Sequence, residues 1–283
     1  MIKNAMSLKA KINNIAKNEN ISPQSVMQIY MLERLLERIS KSKYKDNFIL
    51  KGGMLISSII GIDSRSTMDM DTTIKGFRLD IETLTKILKE VFEIDVGDNI
   101  EFKILKVENI REDDDYGGMR VYISAIFDYM PTDLKIDITT GDKITFKEIN
   151  YKYNLLLENR SINIWSYNVE TIIAEKYESI IKRSTLNTRI RDFYDVYMLI
   201  HLEKNNISYK MLKYAIIETS KHRKTFDILN DKNLVEEVIE NLKNDSSMLK
   251  QWKKYQKAYE YAEGIEYVNL IGSINKIKQI YFS

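Results

Sequence analysis

Residues 48–73 read FILKGGMLISSIIGIDSRSTMDMDTT. A short apolar run, Phe48 to Leu50, meets the pair Gly52-Gly53, and Leu55, Ile56, Ile59 and Ile60 then recur at helical spacing. The pattern predicts a strand, a tight turn and a helix. After Arg65, Asp69 and Asp71 alternate with Met68, Met70 and Thr72. A strand over 67–73 would place both aspartates on one face and the methionines on the other. Two carboxylates beside a helix N-terminus suit a divalent cation and a phosphate chain better than they suit a core.

Working outward, the N-terminal side predicts two helices. Ser22-Pro23 is a cap followed by a first-turn proline, and Val26, Ile29, Tyr30, Leu36 and Ile39 form one apolar stripe. On the C-terminal side Ile81–Phe92 has helical periodicity, and Ile100, Phe102 and Ile104 alternate with Glu101 and Lys103 as in a half-buried strand. Met119–Phe127 reads as the partner strand, with Tyr116-Gly117-Gly118 at the turn. The acidic run Glu112–Asp115 lies in that hairpin loop and reads as solvated rather than metal-binding. Leu134–Thr140 is a further short strand that carries Asp137 on its polar face.

Beyond Thr140 no strand is expected. From Asn168 onward the chain reads as helix over about 168–184, 189–204, 208–221, 233–243, 246–263 and 273–281. The fold class is therefore α+β: a mixed β-sheet core with helices over residues 1–165, then an all-helical C-terminal domain over 166–283.

Composition narrows the chemistry. The 283 residues contain no cysteine and two histidines, His201 and His222. That leaves no thiolate site and makes a histidine-built zinc centre or a serine–histidine triad improbable. A bound metal would have oxygen ligands, which suits Mg2+ or Mn2+. No apolar run is long enough to span a membrane and the N-terminus is polar, so a cytoplasmic protein is expected. The net charge of +2 is uninformative. Its distribution is less so: Lys182, Arg183, Arg189 and Arg191 occur with no acid between them. They read equally as solvated helix ends and as a polyanion-binding patch.

Electrostatics sharpens the candidate site. Two carboxylates about 5 Å apart repel by roughly 3 kcal/mol at an effective dielectric of about 20. Asp137 adds to this if its strand neighbours that of Asp69 and Asp71. Such a cluster calls for a bound cation or a retained proton. Lys176 falls within the apolar stripe Val169, Ile172, Ile173, Tyr177 and Ile180, so it needs an anionic partner: a structural ion pair or a phosphate. Asp192 begins the next helix and shares a face with Asp195, Val196 and Leu199, which leaves three roles open: to orient that lysine, to approach a metal, or merely to favour the helix N-terminus.

The ordered set Gly52-Gly53, Arg65-x-Thr67-x-Asp69-x-Asp71, Lys135-Ile136-Asp137, Glu175-Lys176 and Arg191-Asp192-x-Tyr194-Asp195 resembles the motifs of the AbiEii/AbiGii toxin nucleotidyltransferases, of the DNA-polymerase-β-like superfamily. The resemblance implies a toxin of an abortive-infection toxin–antitoxin system that transfers a nucleotide from an NTP to an RNA acceptor, such as a tRNA 3′ end, and inhibits growth. It implies Asp69, Asp71 and Asp137 as metal ligands, Lys176 and Asp192 as further catalytic residues, and Lys51, Gly52, Gly53, Arg65, Thr67 and Lys176 around the nucleotide. Lys182, Arg183, Arg189 and Arg191 would contact RNA, and a cognate antitoxin would be a partner. One departure stands out: Met54 occupies the position after the glycines where relatives commonly place Ser or Thr. Rival readings are transfer to a protein or small molecule, a nucleotide- or RNA-binding module without catalysis, and a phosphodiester-cleaving metal site.

Overall fold

A computed structural model of the chain describes residues 2, 4–65, 67–110 and 117–283. The acidic run Glu112–Asp115 and Tyr116 of the expected turn lie outside the described residues. The chain divides into two units. The first comprises Met1–Asp142 and Glu148–Ser166, and the second comprises Lys143–Lys147 and Tyr167–Ser283.

The first unit opens with α1 (Ala5–Asn18) and α2 (Pro23–Lys41). Ser22 caps α2 by accepting the Ser25 N–H, with Pro23 in the first turn, where its missing donor costs nothing. Then follow β1 (Phe48–Lys51), α3 (Gly52–Ile60), β2 (Asp69–Ile74), α4 (Ile81–Phe92), β3 (Ile100–Ile110), β4 (Gly118–Phe127) and β5 (Met130–Thr140). Two strands missing from the sequence expectation complete the sheet: β6 (Ile149–Asn154) and β7 (Ser161–Ser166). In β7, Ile162 and Ile164 are buried while Asn163 and Trp165 lie on the other face. Only these two isoleucines carry the alternation, which is too brief to stand out among asparagines and lysines.

The seven strands run in the order β3-β4-β5-β2-β1-β7-β6. β1 is antiparallel to β2 and parallel to β7, while β2 is parallel to β5. Met70, Val121, Ile123, Ile136 and Ile138 are buried on one face of this sheet, where α2 packs against β5 and β7 and α4 against β3. A period of two then sends Asp69, Asp71, Arg120, Lys135 and Asp137 to the opposite face. A bidentate pair within the unit, Arg38 with Asp98 at 2.7 Å on both arms, is almost wholly buried and ties α2 to the start of β3.

The second unit is helical: α5 (Val169–Arg183), α6 (Ile190–Leu202), α7 (Tyr209–His222), α8 (Phe226–Asn230), α9 (Lys232–Asn244), α10 (Ser246–Ala258) and α11 (Tyr267–Phe282). Asn168 caps α5 through the Thr171 N–H at 2.8 Å. Tyr177, Phe193, Tyr194, Leu212, Trp252 and Ile274 form its core. The last helix begins six residues before the expected 273. Gly272 lies inside the helix, where a Cβ would meet open space.

Candidate functional site

The turn from β1 into α3 builds the centre of the site. Gly52 adopts φ +64°, a conformation that side chains with a Cβ rarely take. A Cβ there would lie 2.1 Å from Asp71 Oδ2, so the glycine lets the carboxylate of β2 close over the turn. Gly53 serves the second half of the motif. A Cβ on it would meet Arg65 Nη1 at 2.6 Å and Thr67 Oγ1 at 2.7 Å. Arg65 and Thr67 are both buried. Gly-Gly, Arg-x-Thr and Asp-x-Asp are thus one packed unit, which accounts for their order along the chain. The Gly53 N–H points to Asp71 Oδ2 at 3.3 Å, directing the positive end of α3 to that carboxylate.

Pairing register brings the acids together. Asp71 is the partner of Lys51 on β1 and of Asp137 on β5, while Asp69 is the partner of Lys135. Asp69, Asp71 and Asp137 therefore share one face. Burial raises the pKa of Asp71, opposed by the charge of Lys51 and the Gly53 N–H, and the charges of Asp137 and Asp69 raise it further. Lys51 is itself buried, bonded to Thr139 Oγ1 at 2.7 Å and to Asp142. Burial alone would raise Asp142, but the charge and hydrogen bond of Lys51, with hydroxyls of Thr139 and Thr73, hold it at about 2.

The remaining acids also have cations at hand. Asp69 pairs with Lys135 at 2.9 Å. Asp137 accepts from Arg120 on both oxygens, Nε to Oδ1 and Nη2 to Oδ2, each at 2.8 Å. Among the described residues no three His, Asp or Glu side chains are arranged to hold a metal ion. The three aspartates expected as metal ligands lie together on one face, but they do not form a ligand set. Asp69 and Asp71 fit a hard divalent cation by chemistry, two carboxylates on one strand face, one of them desolvated. Asp137 could join them only by giving up oxygen contacts to Arg120.

The second unit holds the other candidates. Lys176 on α5 pairs with Asp192 at 2.6 Å and with Asp195 at 2.8 Å, both on α6. Asp195 is fully buried. Lys182, Arg183 and Arg189 are exposed. Arg191 behaves differently: its guanidinium lies 5.2 Å from the centre of the Tyr259 ring and donates to the Tyr259 hydroxyl at 2.7 Å. Tyr259 belongs to an aromatic cluster with Tyr194, Trp252, Tyr255 and Tyr261.

Arg120, Asp142 and the ring cluster escaped the sequence reading. Arg120 alternates correctly for the polar face of β4, but only register brings it opposite Asp137. Asp195 was visible as an acid on the apolar stripe of its helix, though its burial was not.

Residues 34–269 match the family model described as Nucleotidyl transferase AbiEii toxin, Type IV TA system. The chain belongs to the AbiEii nucleotidyltransferase toxin family. Membership brings an activity, nucleotidyl transfer from an NTP, and a setting, a toxin opposed by an antitoxin. Among curated proteins none matches. Two solved structures are similar at 14% identity and TM-score 0.49: a candidate nucleotidyltransferase of H. pylori, over 93% of this chain and 98% of that one, and JHP933 from Helicobacter pylori, over 92% and 94%. That likeness is too remote to add to the family match. For this AbiEii member no described helix is long and apolar enough to cross a membrane.

Proposed function

We propose that this AbiEii toxin transfers a nucleoside monophosphate from an NTP to a hydroxyl of RNA, the 3′ end of tRNA, and so arrests growth of the host cell when phage attack. It acts in the cytoplasm, where both substrates are found. The observation that carries this reading is the packing of Asp71 onto the Gly52-Gly53 turn, with Asp69 and Asp137 on the same strand face.

An in-line attack on the α-phosphorus expels pyrophosphate and needs little covalent chemistry from the protein. The chain's contribution is position and charge. The N–H groups and positive dipole end at the start of α3 suit the phosphate tail, with the Gly53 N–H shared with Asp71. Met54 supplies no hydroxyl there, so the backbone and nearby cations carry that contact. Lys51 sits behind Asp71 and keeps it nearer the ionised form. Asp69 and Asp71 would hold Mg2+ or Mn2+, which when bound supplies positive charge for the transferring phosphoryl group. Lys176, oriented by Asp192 and Asp195, offers a second cation for phosphate. The exposed Lys182, Arg183 and Arg189 offer contacts to an RNA backbone.

The test is incubation of the protein with each labelled NTP, Mg2+ and total tRNA. Label should enter tRNA, and Asp71→Asn should abolish transfer. No transfer from any NTP, together with undiminished toxicity of Asp69→Asn, would sink the reading. Label in protein with tRNA left bare would move the acceptor to a protein side chain.

A further inference from the structure

The polar face of the sheet carries its own counterions, and one of them occupies oxygens that the reaction needs. Asp137 is the cross-strand neighbour of Asp71 on one side and of Arg120 on the other. Arg120 grips it fork to fork, with two bonds of 2.8 Å. In that geometry the carboxylate's best-directed lone pairs are taken, so neither a cation nor an acceptor hydroxyl can use them while the grip lasts. The grip lies at the surface rather than sealed in the core: Arg120 is 31% exposed and Asp137 19%. It can open without unfolding the strands.

Charge balance says when it should open. The face sets Asp69, Asp71, Asp137 and Asp142 against Lys51, Lys135 and Arg120. A divalent cation arriving alone must displace a cation already in place. Arriving with a triphosphate, it brings the anion that the displaced guanidinium can accept, and a planar guanidinium matches phosphate oxygens as well as it matches carboxylate. Lys51 is not suited to this exchange, because it is buried on Thr139 and Asp142. Arg120 is, since its side chain remains 31% exposed beside Tyr122, whose hydroxyl donates to Glu108.

Resting on the proposed site, we propose that Arg120 is a displaceable counterion. It caps Asp137 in the free protein and exchanges that carboxylate for a phosphate of the incoming nucleoside triphosphate when a divalent cation binds. Arg120 thereby couples cation and nucleotide, each tightening the other by the same factor.

The experiment is Mn2+ titration by electron paramagnetic resonance on the full chain, with and without an α,β-methylene NTP, for wild type, Arg120→Gln and Arg120→Lys. Wild type should bind Mn2+ weakly alone and about tenfold more tightly with the analogue, the order set by one charge-assisted hydrogen-bonded contact. Arg120→Gln should bind Mn2+ alone about tenfold more tightly, bind the analogue more weakly and lose the coupling. Arg120→Lys, charged but without the fork, should fall between them. Weaker Mn2+ binding by Arg120→Gln would show that the arginine only orients Asp137, and unchanged binding would show an idle surface pair. Either overturns the inference, as does an effect confined to tRNA binding when tRNA replaces the analogue. Wild type that binds no Mn2+ even with the analogue would remove the site itself and this inference with it. Coupling in wild type that persists in Arg120→Gln removes only the inference. Melting temperatures of all three proteins confirm that each variant is folded.

Discussion

Replacing Gly52 by alanine tests the packing on which the site depends. The residue's φ of +64° is a left-handed conformation. Alanine there costs about 1–2 kcal/mol before any contact is considered. The new Cβ would then lie 2.1 Å from Oδ2, 2.6 Å from Cγ and 2.7 Å from Cβ of Asp71. Rotating the aspartate side chain relieves the first two but not the third, because the Cβ is fixed to the strand. β1 and β2 must part at Lys51 and Asp71, which are register partners. The backbone strain alone should lower the melting temperature by about 2–8 °C, and displacing the carboxylate by about an ångström should cost about 100-fold in nucleotidyl transfer. Gly53→Ala is the control, with no positive φ and with the ends of the Arg65 and Thr67 side chains as the obstacle. It should melt closer to wild type. Calorimetry, Mn2+ binding and transfer assays on the two variants decide the matter. A Gly52→Ala protein with wild-type melting and Mn2+ affinity would refute the account of the turn.

Three further outcomes follow from other parts of the molecule. Lys176→Ala removes a cation from beside fully buried Asp195 and should cost about 3–5 kcal/mol in urea denaturation, whereas Lys176→Met with Asp195→Asn should recover stability without recovering NTP binding. Burial pushes Glu33 up to about 8, against the Leu156 N–H and the charge of Arg34. The folded state then holds an extra proton between the ordinary carboxylate pKa and about 8, so Glu33 makes stability fall as pH rises through that window. Urea midpoints of Glu33→Gln should decline less from pH 5 to 8 than those of wild type, and parallel curves would contradict this. Neutralising Lys182, Arg183 and Arg189 together should lower the salt slope of RNA binding by about 2, at about 0.7 per single-strand phosphate contact; an unchanged slope would mean that these charges face only solvent.

What could be read from the chain alone follows from the range of the forces involved. Ile81–Phe92 and the two aspartates on one face of β2 depend on local periodicity, and both are visible in a short window. The β6–β7 hairpin was missed because Ile162 and Ile164 give too brief an alternation, and because β7 gains its place by pairing with β1, more than a hundred residues away. The partners of the acids were hidden for the same reason. Arg120 meets Asp137, and Lys51 meets Asp142, only once pairing and chain course are known. The motif Gly-Gly…Arg-x-Thr-x-Asp-x-Asp was legible as an ordered set, but its cause was not. The cause is steric: one glycine makes room for Asp71, the other for Arg65 and Thr67.

The cluster of acids also shows how carboxylates crowded on one strand face are accommodated. Repulsion among Asp69, Asp71 and Asp137 would require a cation or a proton if the carboxylates had no other company. The sheet provides a third solution. Lys51, Lys135 and Arg120 come from β1, β5 and β4, flank the acids on the same face, and act as counterions of graded depth. Lys51 is deepest and acts as a permanent field on Asp71. Lys135 and Arg120 lie nearer solvent, where an ion pair contributes on the order of 1 kcal/mol and can be exchanged for a stronger partner. Depth therefore separates the cation that shapes the site from those that can leave it. Lys51→Met should accordingly impair folding more than Arg120→Gln, although both remove one positive charge from the same face.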